Sequence, residues 1–436
     1  MDTTAIDTVW VALAAILVLF MQAGFATLEA GFSRMKNAGA VMAKVLINAA
    51  FSIAIFWAVG FGIAFGNGND FLGTTGWFLE AGGVGAFESL DYSAVPIDLK
   101  FFFQATFAAV VVAIVWGTML DRVKFGAYLP FAAIFAGVLY PVTVHWVWGG
   151  GWLTNGENFF QDFAGAGVVH VAGASAALAG AIIVGPRIGK YRDGKPIPIP
   201  GHSMPLAILG VLILWVGWQG FNAGSFLAAD PEGIARVILN TNISAIFGIM
   251  AASLVARLLL GTFDIGMMGN GAVASLGAIA GACVFVDPWG AAVIGAIAGT
   301  VMVLLVIGVD RLKIDDPIGA IAGHGGGGVV GVLAVGFLTT ESAAKSVGGN
   351  PGLLYGGGVD QLGWQIVGLL AIGGFAFVSA YIVFTLISKT VGLRSSEEEE
   401  IGGLDITEHG MYGYPERFMD VVGATPESGP SRSNGH

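Results

Sequence analysis

Cysteine is almost missing from this chain, and charge is scarce. The single cysteine, Cys283, lies in an apolar run, so it can form no internal disulfide and belongs to no redox or metal-binding pattern. Only 11% of the 436 residues are charged, against 55% hydrophobic. That is about half the charged share of soluble domains, and a soluble fold could not hide so much apolar surface. The first residues, MDTTAIDT, contain no base, unlike the start of a signal peptide, so the first apolar stretch is expected to be retained. No nucleophile set for an intramembrane enzyme is visible. No cofactor and no nucleic-acid partner are expected.

What is present is a succession of uncharged runs of about 20 residues, the length that crosses a hydrocarbon core of about 30 Å as a helix. We read eleven spans: 8–33, 44–66, 98–119, 126–147, 166–185, 205–226, 236–260, 271–287, 289–309, 317–337 and 362–388. Only Asp287-Pro288 separates the eighth from the ninth. Sixty-nine glycines allow close helix packing in lipid. With the N-terminus outside, 16 of the 19 Lys and Arg residues fall on the cytoplasmic side, and only Lys100, Arg236 and Lys345 fall on the other. The expectation is an all-α polytopic protein of the cell membrane, with a membrane domain over 1–389 and a cytoplasmic tail over 390–436.

The net charge of −11 sits in loops and tail. Residues 67–97 carry Asp70, Glu80, Glu88 and Asp91 with no base, which suits hydration at high salt and a halophilic prokaryotic source. The basic loop 185–205 divides the chain into two five-span halves of opposite orientation plus one extra helix. Within these halves, DFAGAGVVH (162–170) and DPIGAIAGH (316–324) share one Asp-to-His spacing and fall in corresponding spans, five and ten. Spans so related meet near the midplane, where transporter sites sit.

His170 and His324 are therefore the candidates for function. A neutral imidazole is the ionisable group a membrane interior tolerates best. A neutral histidine bonded to a neighbouring carbonyl is the alternative for either one alone, and a metal site would need a third ligand, for which only Glu29 offers itself. His145, at the outer end of span four, is expected at the interface, and His202, His409 and His436 in the cytoplasmic loop or tail. Aromatic runs reach outward at FFFQATF (101–107), VHWVWGGGWL (144–153) and VGWQGFNAGS (216–225). Such rings either anchor at the interface or bind cations, and the Ser225 hydroxyl can accept from a cation with N–H donors.

These runs, with GLDITEHG in the tail, resemble the Amt/MEP branch of the Amt/MEP/Rh ammonium transporters from about residue 5 to 416. The resemblance implies eleven helices, a homotrimer in the lipid bilayer and one pore per protomer. It implies an outer ammonium (or methylammonium) recruitment site at Phe107, Trp148 and Ser225, and a gate of Phe107 and Phe221. His170 and His324 become the paired pore imidazoles, and Asp162 a carboxylate that shapes the recruitment site without touching the ion. A tail carrying Gly403, Asp405, His409 and Gly410 would support activity, with a PII-type signalling protein as partner at the cytoplasmic face. Two departures stand out: Gly319, where relatives often carry an acid, and Met411 after His409-Gly410, where Glu is usual. An Rh-like gas channel or an ammonium sensor with little transport are the alternatives. In the tail, Gly402-Gly403 is expected as a flexible joint, Asp405 as a helix cap, and Tyr412, Tyr414 and Phe418 as anchors. Asp405 and Glu408 are expected to dock near Arg122, Lys124 and Lys190, and the chain after residue 424 to be an unstructured, solvated tail.

Overall fold

The computed structural model describes residues 3–80 and 85–415. Among these, eleven helices are long and apolar enough to cross a bilayer. They are α1 (Thr4–Phe32), α2 (Met35–Phe65), α3 (Ile97–Gly117), α4 (Phe125–Thr154), α5 (Ala166–Val184), α6 (Met204–Phe226), α7 (Pro231–Leu260), α8 (Ile265–Ala282), α9 (Pro288–Arg311), α10 (Ile321–Leu338) and α11 (Asp360–Thr390). The only strands among the described residues are a two-residue hairpin pair, Tyr191–Arg192 with Lys195–Pro196, in the loop between the halves. Phe418, Arg417 and the chain after 424 lie outside the described residues.

Among the helix limits that differ from the hydropathy reading, three have a clear local reason. The second helix starts at Met35 rather than 44, because the Lys44 charge does not end it. The Lys44 ammonium is absorbed inside the fold, donating to the Val123 carbonyl at 2.8 Å and lying 4.4 Å from the Trp116 ring centre. The eighth starts at Ile265 because Asp264 caps it, accepting from the Met267 N–H at 2.8 Å. It ends at Ala282, and after a short turn Pro288 opens the ninth at its first position, where a missing N–H costs nothing.

The helices that open the two halves, α1 and α6, pack along each other. Backbone touches backbone there. A Cβ added at Gly31 would stand 2.4 Å from the Ala207 nitrogen, and one at Gly210 would stand 2.3 Å from the Leu28 nitrogen. The fifth helices of the halves, α5 and α10, both open with a π-helical turn, Ala166–Val171 and Ile321–Gly326. Each turn carries its histidine into the centre of the bundle. Below, the N-terminal face means the side where α1 begins, and the tail face the side where the chain leaves α11.

Candidate functional site

On the N-terminal face a cavity of about 480 Å³ opens between α3, α4, α6 and the loop before α5. Phe107, Trp148, Ser225, Gln104 and Asp162 are among its walls. The Trp148 indole N–H donates to the Asp162 carbonyl at 2.8 Å, which fixes the ring plane. Ser225 donates its hydroxyl proton to the Phe221 carbonyl at 2.8 Å, so its lone pairs remain for a donor in the cavity. Beneath, Phe107 meets Trp148 edge-on at 6.2 Å between centroids and stacks on Phe221 at 4.0 Å and 22°. Phe107 and Phe221 are fully buried, so the stacked pair closes the cavity floor.

The floor leads to the histidines. The His170 ring stacks under Phe221 at 5.6 Å and against His324 at 5.2 Å and 16°. Their Nδ1 atoms stand 3.1 Å apart, a hydrogen bond in which one ring must donate and the other accept. The outer nitrogens are then unlike: the ring that donates at Nδ1 keeps a bare Nε2, and its partner carries a proton there. A neutral pair in this arrangement accepts at one end and donates at the other. His170 Nε2 has no partner among the described residues, and Gly277 of α8 makes room for the ring, whose Cδ2 lies 3.3 Å from where a Cβ would stand.

Asp162 holds this geometry from behind. Its Oδ1 accepts from the Gly165 and Ala166 N–H groups at 3.0 and 2.8 Å, and its Oδ2 from Gly167 and Val168 at 2.8 and 2.9 Å. These are the orphan donors of the first turn of α5. Burial pushes the Asp162 carboxyl up to about 6, and the four N–H donors work against that rise. Asp316 does the same for α10 with two donors, Ala320 at 3.0 Å and Ile321 at 2.8 Å. Three residues after each Asp the chain turns through a left-handed glycine, Gly165 (φ 111°) and Gly319 (φ 73°). The departure at Gly319 thus has a physical cause. A Cβ there would be 2.6 Å from the Asn270 side-chain nitrogen, so a side chain would have to displace that amide from the Ile318 carbonyl it bonds at 2.9 Å.

A family model described as the Ammonium Transporter Family matches residues 9–414. This chain belongs to the ammonium transporter family. It is 43% identical over 426 residues to the ammonium transporter Amt2 of Archaeoglobus fulgidus, covering 94% of this chain and 88% of that one. It is 38% identical to Amt1 of Haloferax mediterranei, covering 99% and 82%. Among solved structures it superposes on a sensor Amt protein with TM-score 0.85 at 35% identity, covering 93% and 98% of the two chains. Mep2 of Candida albicans gives TM-score 0.82 at 29% identity, with 90% and 87% covered.

On the tail face of this family member, two short helices, Glu397–Gly402 and Leu404–His409, lie against the bundle. Asp405 does cap a helix, but not its own. It accepts from the Ala40 and Gly39 N–H groups at the start of α2, at 2.7 and 3.1 Å, and from Gly413 at 2.9 Å. Glu408 accepts from the Phe125 N–H at 2.7 Å and pairs with Lys44 at 3.6 Å. Lys190, expected as a docking partner, instead pairs with Asp310 at 2.7 Å. The joint at Gly402-Gly403 is not free either: Gly403 (φ 102°) presses on Lys36, 2.8 Å from where its Cβ would stand. His409 packs edge-on to Phe125 at 5.2 Å, Gly410 takes a left-handed φ of 68° that ends the last helix, and Tyr414 bonds His202 at 3.2 Å.

A buried charge cluster beside it was not foreseen. Arg187 grips Asp315 at 2.8 and 3.0 Å and Asp121 at 3.1 Å, while Arg122, fully buried, donates to the Gly185, Leu120 and Asp315 carbonyls. Burial alone would raise the Asp315 carboxyl, but Arg122 and Arg187 outweigh it and bring it down to about 2. His145, expected at the interface, is buried, with its ring nitrogens facing the Ala64 and Asn69 carbonyls at 3.1 and 2.7 Å.

Proposed function

We propose that the protein takes ammonium from outside, strips its proton behind the Phe107–Phe221 pair and conducts NH3 past His170 and His324 to the cytoplasm. The observation that carries this reading is the Nδ1–Nδ1 contact of two buried imidazoles directly beneath a stacked aromatic floor. Ammonium and potassium have similar size and charge, but only ammonium can leave a proton behind. Recruitment by Trp148 and Phe107 is worth about 0.5–2 kcal/mol per ring, with the Ser225 oxygen as acceptor. The buried apolar floor then rejects an ion that stays charged. Under this reading the N-terminal face is extracellular and the tail face cytoplasmic, as the Lys and Arg distribution favours, and the protein is a homotrimer of the cell membrane.

The test is current and uptake from purified protein in liposomes, with K⁺ as control. Ammonium uptake without K⁺ flux is expected, with current only where a separate proton relay accompanies the NH3, and equal K⁺ flux overturns the reading. The likeness to a sensor Amt protein favours one second reading, in which the pore reports ammonium and transports little. Uptake no faster than through empty liposomes would select it.

Trp148→Leu keeps bulk but removes the π face. Half-saturation for methylammonium should rise by about 2- to 30-fold, the range expected for one cation–π contact, while maximal flux need not fall. Phe107→Ala should change both, because that ring also closes the floor. An unchanged concentration dependence in Trp148→Leu would reduce the tryptophan to an anchor.

The tail is read as a regulatory segment, over 390–436, that a PII-type protein engages from the cytoplasm. Truncation at 395 should lower uptake per assembled trimer without unfolding it. Asp405→Ala strands the Gly39 and Ala40 N–H groups, at about 1–3 kcal/mol of local destabilisation, and should reproduce part of that loss. Equal uptake and equal PII binding by full-length and truncated protein would make the tail a passenger.

A further inference from the structure

Glu29 is a carboxylate in a place that needs explaining. It sits on α1, fully buried, and neither oxygen has a hydrogen-bond partner among the described residues. A bare carboxylate in an apolar interior costs several kcal/mol unless a proton, an ion or water meets it. Its position is defined by what surrounds it. Phe25, one helical turn earlier and on the same face, lies 6.3 Å from the His324 ring. Glu29 therefore stands about 6 Å nearer the tail face than Phe25, below the histidine pair. Gly117, the last residue of α3, leaves the space it occupies. A Cβ there would stand 3.4 Å from Glu29 Oε1 and 2.3 Å from Ile318 Cδ1, just ahead of the helix that carries His324.

The groups around it do not neutralise it. Lys44 is the charged neighbour, but it makes no ion pair with Glu29 within 4 Å, being committed to the Val123 carbonyl and Glu408. The Tyr128 hydroxyl donates to Asn48. The Trp116 indole N–H, next to Gly117, is a buried donor without an acceptor among the described residues. An open carboxylate and an open donor are each groups a water molecule can serve.

Given the reading of the histidines above, we propose that Glu29 is the proton station on the exit side of the pair. NH4⁺ gives its proton to a bare imidazole nitrogen, and the neutral NH3 moves on through the pore. The proton crosses the Nδ1–Nδ1 bond and leaves His324 through a pore water to Glu29, which becomes the neutral acid. Release to cytoplasmic water restores the carboxylate. One NH3 and one proton have then crossed, the equivalent of one NH4⁺. Lys44, held by Glu408, holds its charge near the carboxylate without quenching it.

The experiment measures ammonium-driven current and internal alkalinisation in parallel, on full-length protein in liposomes. In Glu29→Gln the current should fall about 100-fold or more, the usual scale for losing a proton-transfer group. The interior should turn alkaline, since NH3 arrives without its proton, and Glu29→Asp should restore part of the current. Wild-type current in Glu29→Gln overturns the proposal and leaves the histidine reading intact. So does a wild-type protein that alkalinises without current. A wild-type protein that shows neither overturns both. Should Glu29→Gln fail to assemble, infrared difference spectra of the wild type decide. Ammonium should change a buried carboxyl band, and no change overturns the proposal.

Discussion

Alanine at His170 or at His324 is expected to abolish ammonium-specific uptake, and at least one of the two variants should admit K⁺. The imidazoles lie at the centre of the bundle, on the proposed path: His170 is fully buried between Phe221 and the partner ring, with Trp218 beside it, and His324 is 3% exposed. Alanine removes a proton acceptor, worth about 100-fold or more in rate, and opens a space whose walls keep a polar nitrogen from the surviving ring. Water can enter such a space, and a hydrated path behind the aromatic floor no longer demands deprotonation. His170→Phe separates the two effects. It restores volume without a hydrogen-bonding nitrogen, so it should transport neither ammonium nor K⁺. If both alanine variants keep wild-type uptake and K⁺ exclusion, the paired imidazoles are structural and the proposed mechanism is wrong.

The sequence made the pair visible because each histidine is an ionisable group inside an apolar run at a repeated distance from an aspartate. The full repeat is longer than that distance: Asp162, Gly165 and His170 are answered by Asp316, Gly319 and His324. The glycine was available to reading but has meaning only once φ is known, since Gly is also frequent for packing reasons throughout the bundle. Helix limits differ from the hydropathy spans where a helix carries a buried charge, as at Lys44, whose stem and ammonium are accommodated among Trp116, Val123 and Glu408. The tail docks beside Arg122 and Lys124, where charge complementarity places it: Glu408 accepts from the Phe125 N–H and the Ser395 N–H donates to the Arg122 carbonyl. Lys190 is not its partner, and Asp405 instead takes the unsatisfied N–H groups at the start of α2. The Arg187–Asp315–Asp121 cluster joins three loops far apart in the chain, and no local pattern announces it. Glu29 could be named from sequence only as an isolated acid. Its lack of partners is a property of the packed fold.

Asp162 should be the least replaceable residue outside the pore axis. Its side chain is 5% exposed and accepts four backbone N–H bonds of 2.8–3.0 Å. Hydrogen bonds to a charged group contribute about 1.5–3 kcal/mol each, and even with strong non-additivity their joint loss in Asp162→Ala should exceed about 4 kcal/mol. Asp162→Asn is the sharper variant. The amide oxygen can keep two donors, but its NH2 group would face the other two donor to donor, so a substitution of equal shape should still destabilise. The damage should spread to the site, because this turn also carries His170 and presents the carbonyl that holds Trp148. Melting in detergent is expected to fall by several degrees in Asp162→Asn and more in Asp162→Ala, with uptake lost in both. The corresponding change at Asp316, which holds two N–H groups rather than four, should cost less. Asp162→Asn that melts and transports like wild type would show that the carboxylate charge is not what holds the turn, and an equal penalty at Asp316 would show that the count of capped donors does not set the cost.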